Sequence, residues 1–251
     1  MTTSTIAHSW RYGVLVLIVA GSFAFQMTRQ PEPQDRKYHD FADQRPFVGI
    51  PNFSDVTSNI LILVVGVAGL EICRRGRFAG PSAAWAIFFA GVALSGIGSA
   101  YYHWRPNNDT LVWDRLPMTI AFMGLFVALL SEALDQKPGP VLLAFALLVG
   151  FASVTYWHFT DDLRFYRWVQ RVPLLTIPVV VVLFRGGYSH RWLLLLALGF
   201  YLLAKLTETY DREIFAMTHR VVGGHTVKHV FAAGSSLVLL QMLRKRRAIP
   251  D

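Results

Sequence analysis

The chain has 251 residues, of which 53% are hydrophobic and only 16% are charged, and its mean hydropathy is +0.39. This composition excludes an ordinary soluble domain, and the single cysteine, Cys73, excludes a disulfide framework and a cysteine-rich zinc site. The net charge of +8 lies in short clusters between long apolar runs, as in membrane proteins, and we find no basic face or recognition helix typical of nucleic-acid binding.

Eight apolar runs are long enough to cross a bilayer as helices, which takes about 20 residues each. In chain order they are 11–27, 55–73, 82–103, 110–134, 139–158, 164–184, 189–207 and 222–243. Strands of a membrane barrel would be about 10 residues long and alternating, so the predicted fold is an all-α polytopic membrane helix bundle. The first run also leaves open a cleaved signal peptide, because it contains the small residues Ala20-Gly21-Ser22.

The charged loops predict the orientation of the bundle. With eight spans, most basic residues fall on the same side as the N-terminus, and the positive-inside rule makes that side cytoplasmic. These residues are Arg74, Arg75, Arg77, Lys137, Arg185, Arg191, Arg244, Lys245, Arg246 and Arg247. Both termini are therefore predicted to be cytoplasmic. The short loops and the arginine-rich composition favour a bacterial inner membrane.

Four ionisable residues stand within or at the ends of predicted spans, where such groups are costly and are candidates for function. His103 ends the third span, Asp114 lies in the first turns of the fourth, and His225 and His229 begin the eighth. The topology brings all four to the non-cytoplasmic side of the membrane.

The spacing of these residues indicates a metal site. His225 and His229 lie one turn apart on one helix face, and His103 would add a third imidazole, which is the ligand number of a catalytic zinc. Asp114 could act as general base or acid, or orient a histidine. Ser99 lies one turn before His103 and could reach a water or an oxyanion there. The alternatives are histidines that bond neighbouring helices or a haem; a haem would need His103 opposite the pair.

Other polar residues have simpler interpretations. Lys228 is expected to form a salt bridge with a carboxylate of a neighbouring helix, and Lys205 and Glu208 to form a local ion pair. The aromatic stretch with Tyr101, Tyr102 and Trp104 is interpreted as a belt at the membrane surface.

The pattern Ser99-x3-His103, Asp114 and His225-x3-His229 closely resembles the alkaline ceramidase family. That family lies within a superfamily of seven-helix membrane hydrolases that includes adiponectin-receptor-like and GPI-lipid remodelling proteins. The entry to the second span, Asn52-Phe53-Ser54-Asp55-Val56-Thr57-Ser58-Asn59, adds to the resemblance, which covers about 40–244.

The resemblance implies a site and a domain organisation. It implies that His103, His225 and His229 bind zinc, with Ser99 and Asp114 contacting the zinc-bound water. It also implies an extra N-terminal transmembrane helix at 1–30, a non-cytoplasmic polar loop at 31–54, a seven-transmembrane hydrolase core at 55–244 and a basic cytoplasmic tail at 245–251.

The same resemblance raises the question of calcium, because the family carries a calcium site before its first core helix. Asp40, Asp43 and Asn52 are the possible ligands here. Arg45 stands where a neutral or acidic ligand is expected, and its guanidinium could pair with a carboxylate and replace the ion.

The function expected from the resemblance is a zinc-dependent intramembrane amidase that hydrolyses a ceramide-type lipid to a fatty acid and a sphingoid base. Two alternatives stay open at this point. One is an acyl-ester hydrolase of the same superfamily. An ester has an easier leaving group than an amide, so its cleavage depends less on proton transfer by Asp114. The other is a receptor-like protein with structural zinc, for which Ser99 and Asp114 would be dispensable.

Overall fold

Helices dominate the computed structural model, which describes residues 9–76, 78–134, 139–184 and 186–249. The described helices are α1 (Ser9–Thr28), α2 (Phe53–Arg75), α3 (Ser82–Trp104), α4 (Asn108–Ala133), α5 (Pro140–Thr160), α6 (Arg164–Leu183), α7 (Leu193–Thr209), α8 (Asp211–Met217) and α9 (Gly224–Lys245). One 3₁₀ turn, Arg36–His39, lies in the loop between α1 and α2. The predicted all-α membrane bundle is confirmed.

Seven of these helices, α1 to α6 and α9, are long and apolar enough to cross a membrane. The predicted span at 189–207 corresponds to α7, which has 17 residues and is followed by α8 after a bend of 82°. Counted as one broken span, this pair raises the number to eight. The bend was not predicted from the sequence.

Local sequence signals explain where several helices begin and end. Asn107 opens α4 with a capping box, in which its side chain accepts hydrogen bonds from the backbone N–H groups of Asp109 and Thr110. Gly76 ends α2 in the left-handed conformation with φ +59°, which suits glycine. These two ends fix where the loops leave the apolar stretches.

The helices α2, α3, α4, α5 and α6 pack in sequence, and α9 closes the arrangement by packing on both α7 and α2. The helix α1 lies outside this core against α6, where Trp168 donates a hydrogen bond to the Ser22 hydroxyl over 3.1 Å. Around the ring, α6 and α7 make the thinnest contact between neighbours. The two main cavities described below lie behind this seam.

Two glycines let the site-bearing helices approach closely. A Cβ added at Gly66 of α2 would lie 2.3 Å from the backbone nitrogen of Ala93 in α3, and one at Gly98 of α3 would lie 2.0 Å from the carbonyl oxygen of Trp113 in α4. Backbone contacts of this kind are how small residues stabilise helix pairs in membranes. The second contact lies one residue from both Ser99 and Asp114.

One end of the bundle gathers the basic loops. Ser189 donates its N–H to the carbonyl of Arg247, and Arg246 forms an ion pair with Glu132 at the end of α4 over 2.6 Å. Arg191 and Arg246 are buried rather than solvated. The predicted loop residues Arg77, Lys137 and Arg185 lie outside the described residues.

The opposite end carries the loop 29–52 and the segment 210–223. The N–H of Leu163 donates to the carbonyl of Glu32 over 2.8 Å, and Arg45 donates to the carbonyl of Val221 over 2.8 Å. These contacts close this end of the bundle directly over the site.

Candidate metal centre

Three buried histidines meet at this closed end of the bundle. His103 lies in the last turn of α3, and His225 and His229 lie in the first two turns of α9. One nitrogen atom from each lies within 4.8 Å of the others, and all three side chains are at most 3% exposed. Among the described residues, this is the group of three or more histidine, cysteine or carboxylate side chains that could share one metal ion.

The distance between two of the ring nitrogens is the one expected for two ligands of a single metal ion. Nε2 of His103 lies 3.2 Å from Nε2 of His225, and two nitrogens bound to one tetrahedral zinc ion would lie about 3.3 Å apart. Nε2 of His229 is buried without a hydrogen-bond partner. A buried nitrogen without a partner is costly, and a shared metal ion would satisfy it.

A serine of a third helix fixes one of the three rings. Ser58 of α2 places its Oγ 2.8 Å from Nδ1 of His229, so that Nε2 of the same ring points to the other histidines. Metal-binding histidines usually bond a neighbouring group through their other nitrogen. Ser58 was named only as part of the entry to the second span, because a serine in an apolar helix carries no signal of its own for a site.

The backbones of the ligand helices are held by two further polar side chains. Asn52 donates from its amide to the carbonyl of His103 over 2.8 Å. Asp211, in the first turn of α8, accepts a hydrogen bond from the N–H of His225 over 2.8 Å and one from the N–H of Ala42 over 2.8 Å. The loop, α8 and α9 are thereby tied together at the site.

An aromatic ring covers the histidines from the loop. Phe41 is 4% exposed, and its ring centroid lies 4.7 Å from that of His103 and 4.4 Å from that of His225. This packing separates the imidazoles from solvent on the loop side.

Ser99 and Asp114 lie beside the histidines as the spacing predicted. Both side chains are buried, with Ser99 5% exposed and Asp114 7% exposed. They line one cavity together with His229 and Lys228. The structure therefore brings all five predicted site residues to one place.

The family comparison agrees with this geometry. The family model described as Ceramidase matches residues 49–243. The chain belongs to the ceramidase family. A search of curated proteins finds no match. Membership implies a hydrolase of amide bonds with a lipid substrate, and the matched region begins before α2 and ends in α9, so that it includes all five residues.

The cavity beside the histidine cluster is lined mainly by apolar side chains. Its walls are mainly aliphatic and aromatic side chains from α2, α3, α4, α6, α7 and α9. Such a cavity suits an alkyl chain, and the site residues stand at its polar end.

A second, polar cavity continues from the first. The two share Asp114, Lys228 and four other residues, so they are two parts of one space. The second part reaches the loop at Glu32–Asp35. Below it is called the polar chamber.

The predicted ion pairs of this region are confirmed. Glu208 of α7 bonds Lys205 of the same helix and accepts a hydrogen bond from Lys228 of α9 over 2.6 Å. Both lysines line the polar chamber, and Nζ of Lys228 also lies 3.3 Å from Nε2 of His225.

The carboxylates considered for calcium hold guanidinium groups. Arg45 donates two hydrogen bonds to Asp43, from Nε over 2.7 Å and from Nη2 over 2.8 Å, and Arg212 donates to Asp40 over 2.6 Å. Burial acts to raise the pKa of Asp43, but the hydrogen bonds from Arg45 and Ser54 outweigh it and hold the pKa below its usual value. This is the arrangement expected if an arginine guanidinium replaces the calcium ion. Calcium binding by Asp40, Asp43 and Asn52 stays a prediction.

One aromatic interpretation was wrong. Tyr101 and Trp104 are about half exposed, as expected of a membrane-surface belt, but Tyr102 is 1% exposed. Its hydroxyl lies 2.8 Å from Nδ1 of His39 in the 3₁₀ turn. Tyr102 points inward because its position on α3 faces the loop that covers the site.

Proposed function

We propose that the chain is a zinc-dependent intramembrane amidase that cleaves the N-acyl bond of a ceramide-type lipid into a fatty acid and a sphingoid base. The observation that carries the proposal is the cluster of three histidines beside Asp114, which lines both an apolar cavity and a polar chamber. An N-acyl lipid has the same division between an alkyl part and a polar part.

The donor set supports zinc as the ion. Three imidazole nitrogens from two helices leave a fourth position open, as in catalytic zinc sites. When bound, zinc supplies Lewis acidity, which polarises a carbonyl and lowers the pKa of water. His103, His225 and His229 would hold it.

The remaining steps fall to Asp114 and Ser99. In the proposed reaction Asp114 takes a proton from the attacking water, whose oxygen bonds to the carbonyl carbon of the amide. The C–N bond then breaks, and Asp114 passes its proton to the departing nitrogen. An amine is a poor leaving group that needs this proton. Ser99 would donate its one hydroxyl hydrogen to the substrate oxygen, where negative charge develops.

The seam between α6 and α7 provides an entry path for the lipid. Both parts of the internal space are lined by these two helices, for example by Leu174 and Tyr201, which belong to both. The acyl chain would lie among the apolar side chains of the first cavity, and the amide would reach Asp114 at the junction.

We further propose that both termini are cytoplasmic in a bacterial inner membrane, with the metal centre near the opposite face. This orientation follows from the basic residues at the end where Arg74, Arg191 and Arg247 lie. Reporter fusions at the 76–81 loop and at the 105–107 loop should report opposite sides of the membrane.

The test combines metal content with hydrolysis. Detergent-purified wild-type protein should contain about one zinc ion per chain, and His229→Ala much less. Asp114→Asn should keep the zinc but lose about 10²- to 10⁴-fold in the release of fatty acid from an N-acyl lipid, measured by mass spectrometry.

Two outcomes would contradict the proposal. A folded wild-type protein that takes up no zinc would remove the metal centre. Full amidase activity in Asp114→Asn would remove Asp114 from the reaction. Hydrolysis of acyl esters with no hydrolysis of amides would support the ester alternative, and zinc binding without either activity would support a receptor-like protein.

A further inference from the structure

The polar chamber is rich in basic side chains that lie next to the proposed reaction site. Five basic and four acidic residues line it, and Asp114 among the acidic ones belongs to the proposed chemistry. The basic residues are Arg115, Arg167, Arg171, Lys205 and Lys228. The lining of the polar chamber therefore carries one more basic than acidic residue, next to the position proposed for the substrate amide.

The other carboxylates of the chamber already have partners. Glu32 pairs with Arg167 over 2.5 Å, and Glu208 is shared by two lysines. Asp35 caps the 3₁₀ turn by accepting the N–H of Lys37 over 2.9 Å. None of these three carboxylates is therefore free to pair with another basic residue of the chamber.

Two arginines of the chamber have no ion pair among the described residues. Arg115 donates to the amide oxygen of Gln34 over 2.5 Å, and Arg171 donates to the amide oxygen of Gln26 over 2.9 Å. Both partners are neutral. Arg115 is 5% exposed, and its Nη1 is buried without a hydrogen-bond partner.

Aromatic rings fix the Arg115 guanidinium in place. Its Cζ lies 4.0 Å from the ring centroid of Trp157 and 4.8 Å from that of Tyr166. Such contacts stabilise a cation but do not supply a hydrogen-bond acceptor for Nη1. Arg115 lines the polar chamber, and the planar donors of a guanidinium match carboxylate and phosphate groups.

The position of Arg115 sets where the anion would lie on the substrate. Arg115 follows Asp114 in α4, and Lys228 precedes His229 in α9. Arg115 and Arg171 line the polar chamber and not the apolar cavity, so an anion bound to them would lie on the side of Asp114 away from that cavity. That side holds the amine half of the substrate.

We propose that Arg115 and Arg171 bind an anionic group, a carboxylate or a phosphate, on the amine half of the N-acyl lipid. This inference rests on the proposed amidase function and narrows the ceramide-type substrate to one whose amine half carries an anionic group. It expects an acidic N-acyl lipid to be bound and cleaved in preference to a neutral one of the same size.

The first experiment measures binding without turnover. Hexadecyloxyacetate and hexadecyloxyacetamide carry an ether in place of the scissile amide and differ by one charge. The acid should bind wild-type protein in detergent about ten-fold more tightly than the neutral amide, which is typical of a hydrogen-bonded charge. Arg171→Gln and Arg115→Gln should each reduce this ratio, and Arg115→Lys should retain more of it than Arg115→Gln.

Controls separate a lost contact from a lost fold. Arg171 is exposed, so its glutamine variant should fold even if the Arg115 variants do not. Arg74→Gln is the matched control at the opposite end of the bundle, where its side chain is 73% exposed, and it should keep the wild-type ratio. Equal affinity of wild-type protein for acid and amide, or an equal loss for both probes in Arg171→Gln, would overturn the inference.

The second experiment identifies the anion and separates the two proposals. N-palmitoylglycine is compared with N-palmitoylglycinamide, and the phosphate monoester of N-palmitoylethanolamine with N-palmitoylethanolamine. Faster cleavage of N-palmitoylglycine than of its amide identifies a carboxylate, and faster cleavage of the phosphate monoester than of N-palmitoylethanolamine identifies a phosphate.

Equal cleavage of the acidic and neutral members of both pairs overturns the head-group inference but leaves the proposed amidase function standing. Selective binding of hexadecyloxyacetate without cleavage of any amide leaves the head-group site and overturns the amidase.

Discussion

Ser58 and His229 lie on different helices, yet the serine oxygen is 2.8 Å from Nδ1 of the histidine. The contact decides which ring nitrogen faces the other two imidazoles. Because α2 contributes no metal ligand itself, its part in the site is to orient a ligand of α9. This role makes Ser58 a positioning residue.

We predict that Ser58→Ala weakens zinc binding by about 10- to 100-fold, as is usual when the outer hydrogen bond of a histidine ligand is lost. The reason is that the His229 ring is then free to rotate and to present either nitrogen. Competition with a zinc chelator of known affinity measures the effect. Ser54→Ala, one turn earlier in the same helix, is the control. Unchanged zinc affinity in Ser58→Ala would remove the positioning role.

The contact between Gly98 and Trp113 leads to a second prediction. Pro117 lacks an N–H, so the carbonyl of Trp113 loses its usual helical donor, and this carbonyl faces Gly98. Gly98→Ala should cost about 1–3 kcal/mol by overpacking and lower activity by separating Ser99 from Asp114. Thermal unfolding and amidase assays measure the two effects.

The matched control for Gly98 is Gly199→Ala in α7. A Cβ there meets no atom within 4 Å, and alanine is the better helix former by about 1 kcal/mol. The control should be as stable as the wild type or more so. If Gly98→Ala behaved in the same way, the close approach of α3 and α4 would not be needed.

Much of the fold could be predicted from the sequence because hydropathy and helix periodicity are local signals. The eight apolar runs correspond to helices, and the one-turn spacing of His225 and His229 brings their side chains together. His103, on another helix, could be placed with them because both lie at span ends on one side.

The remaining features depend on contacts between distant segments and could not be read from the chain. Ser58 and Phe41 gain their roles only from packing. Tyr102 was placed at the membrane surface although it bonds the covering loop. Arg246 was predicted to be a charge of the basic cytoplasmic tail, but its side chain is fully buried against Glu132. The break between α7 and α8 also follows no local signal, because Tyr210 is neither glycine nor proline.

The pair of Glu132 and Arg246 leads to a third prediction. Both side chains are 0% exposed, and Trp85 donates a further hydrogen bond to the Glu132 carboxylate over 3.2 Å. Removing one partner leaves a buried charge, so Glu132→Leu or Arg246→Met should each cost about 3–5 kcal/mol in the free energy of unfolding.

The double variant is the decisive measurement for this pair. Glu132→Leu with Arg246→Met leaves no unpaired charge, so it should be more stable than either single variant. The exposed pair of Glu71 and Arg74 provides the control, since Glu71→Gln should cost at most about 1 kcal/mol. Strictly additive losses in the double variant would show that the two buried residues do not stabilise each other.

The loop between α5 and α6 leads to the last prediction, which concerns acid stability. Hydrogen bonds from the Arg164 side chain, aided by backbone N–H groups, lower the pKa of Asp162 from 3.8 to about 2 against the effect of burial. A carboxyl group with a lowered folded-state pKa stabilises the fold above its unfolded pKa, and this contribution is lost as the pH falls through the folded value. The wild-type protein should therefore lose stability between about pH 4 and pH 2.

The variant Asp162→Asn should be less stable than the wild type near neutral pH, and it should lose less stability on acidification. Thermal unfolding in detergent across this range measures both, with Asp109→Asn at an exposed site as the control. A wild-type acid profile in Asp162→Asn would show that this carboxylate does not contribute to the pH dependence.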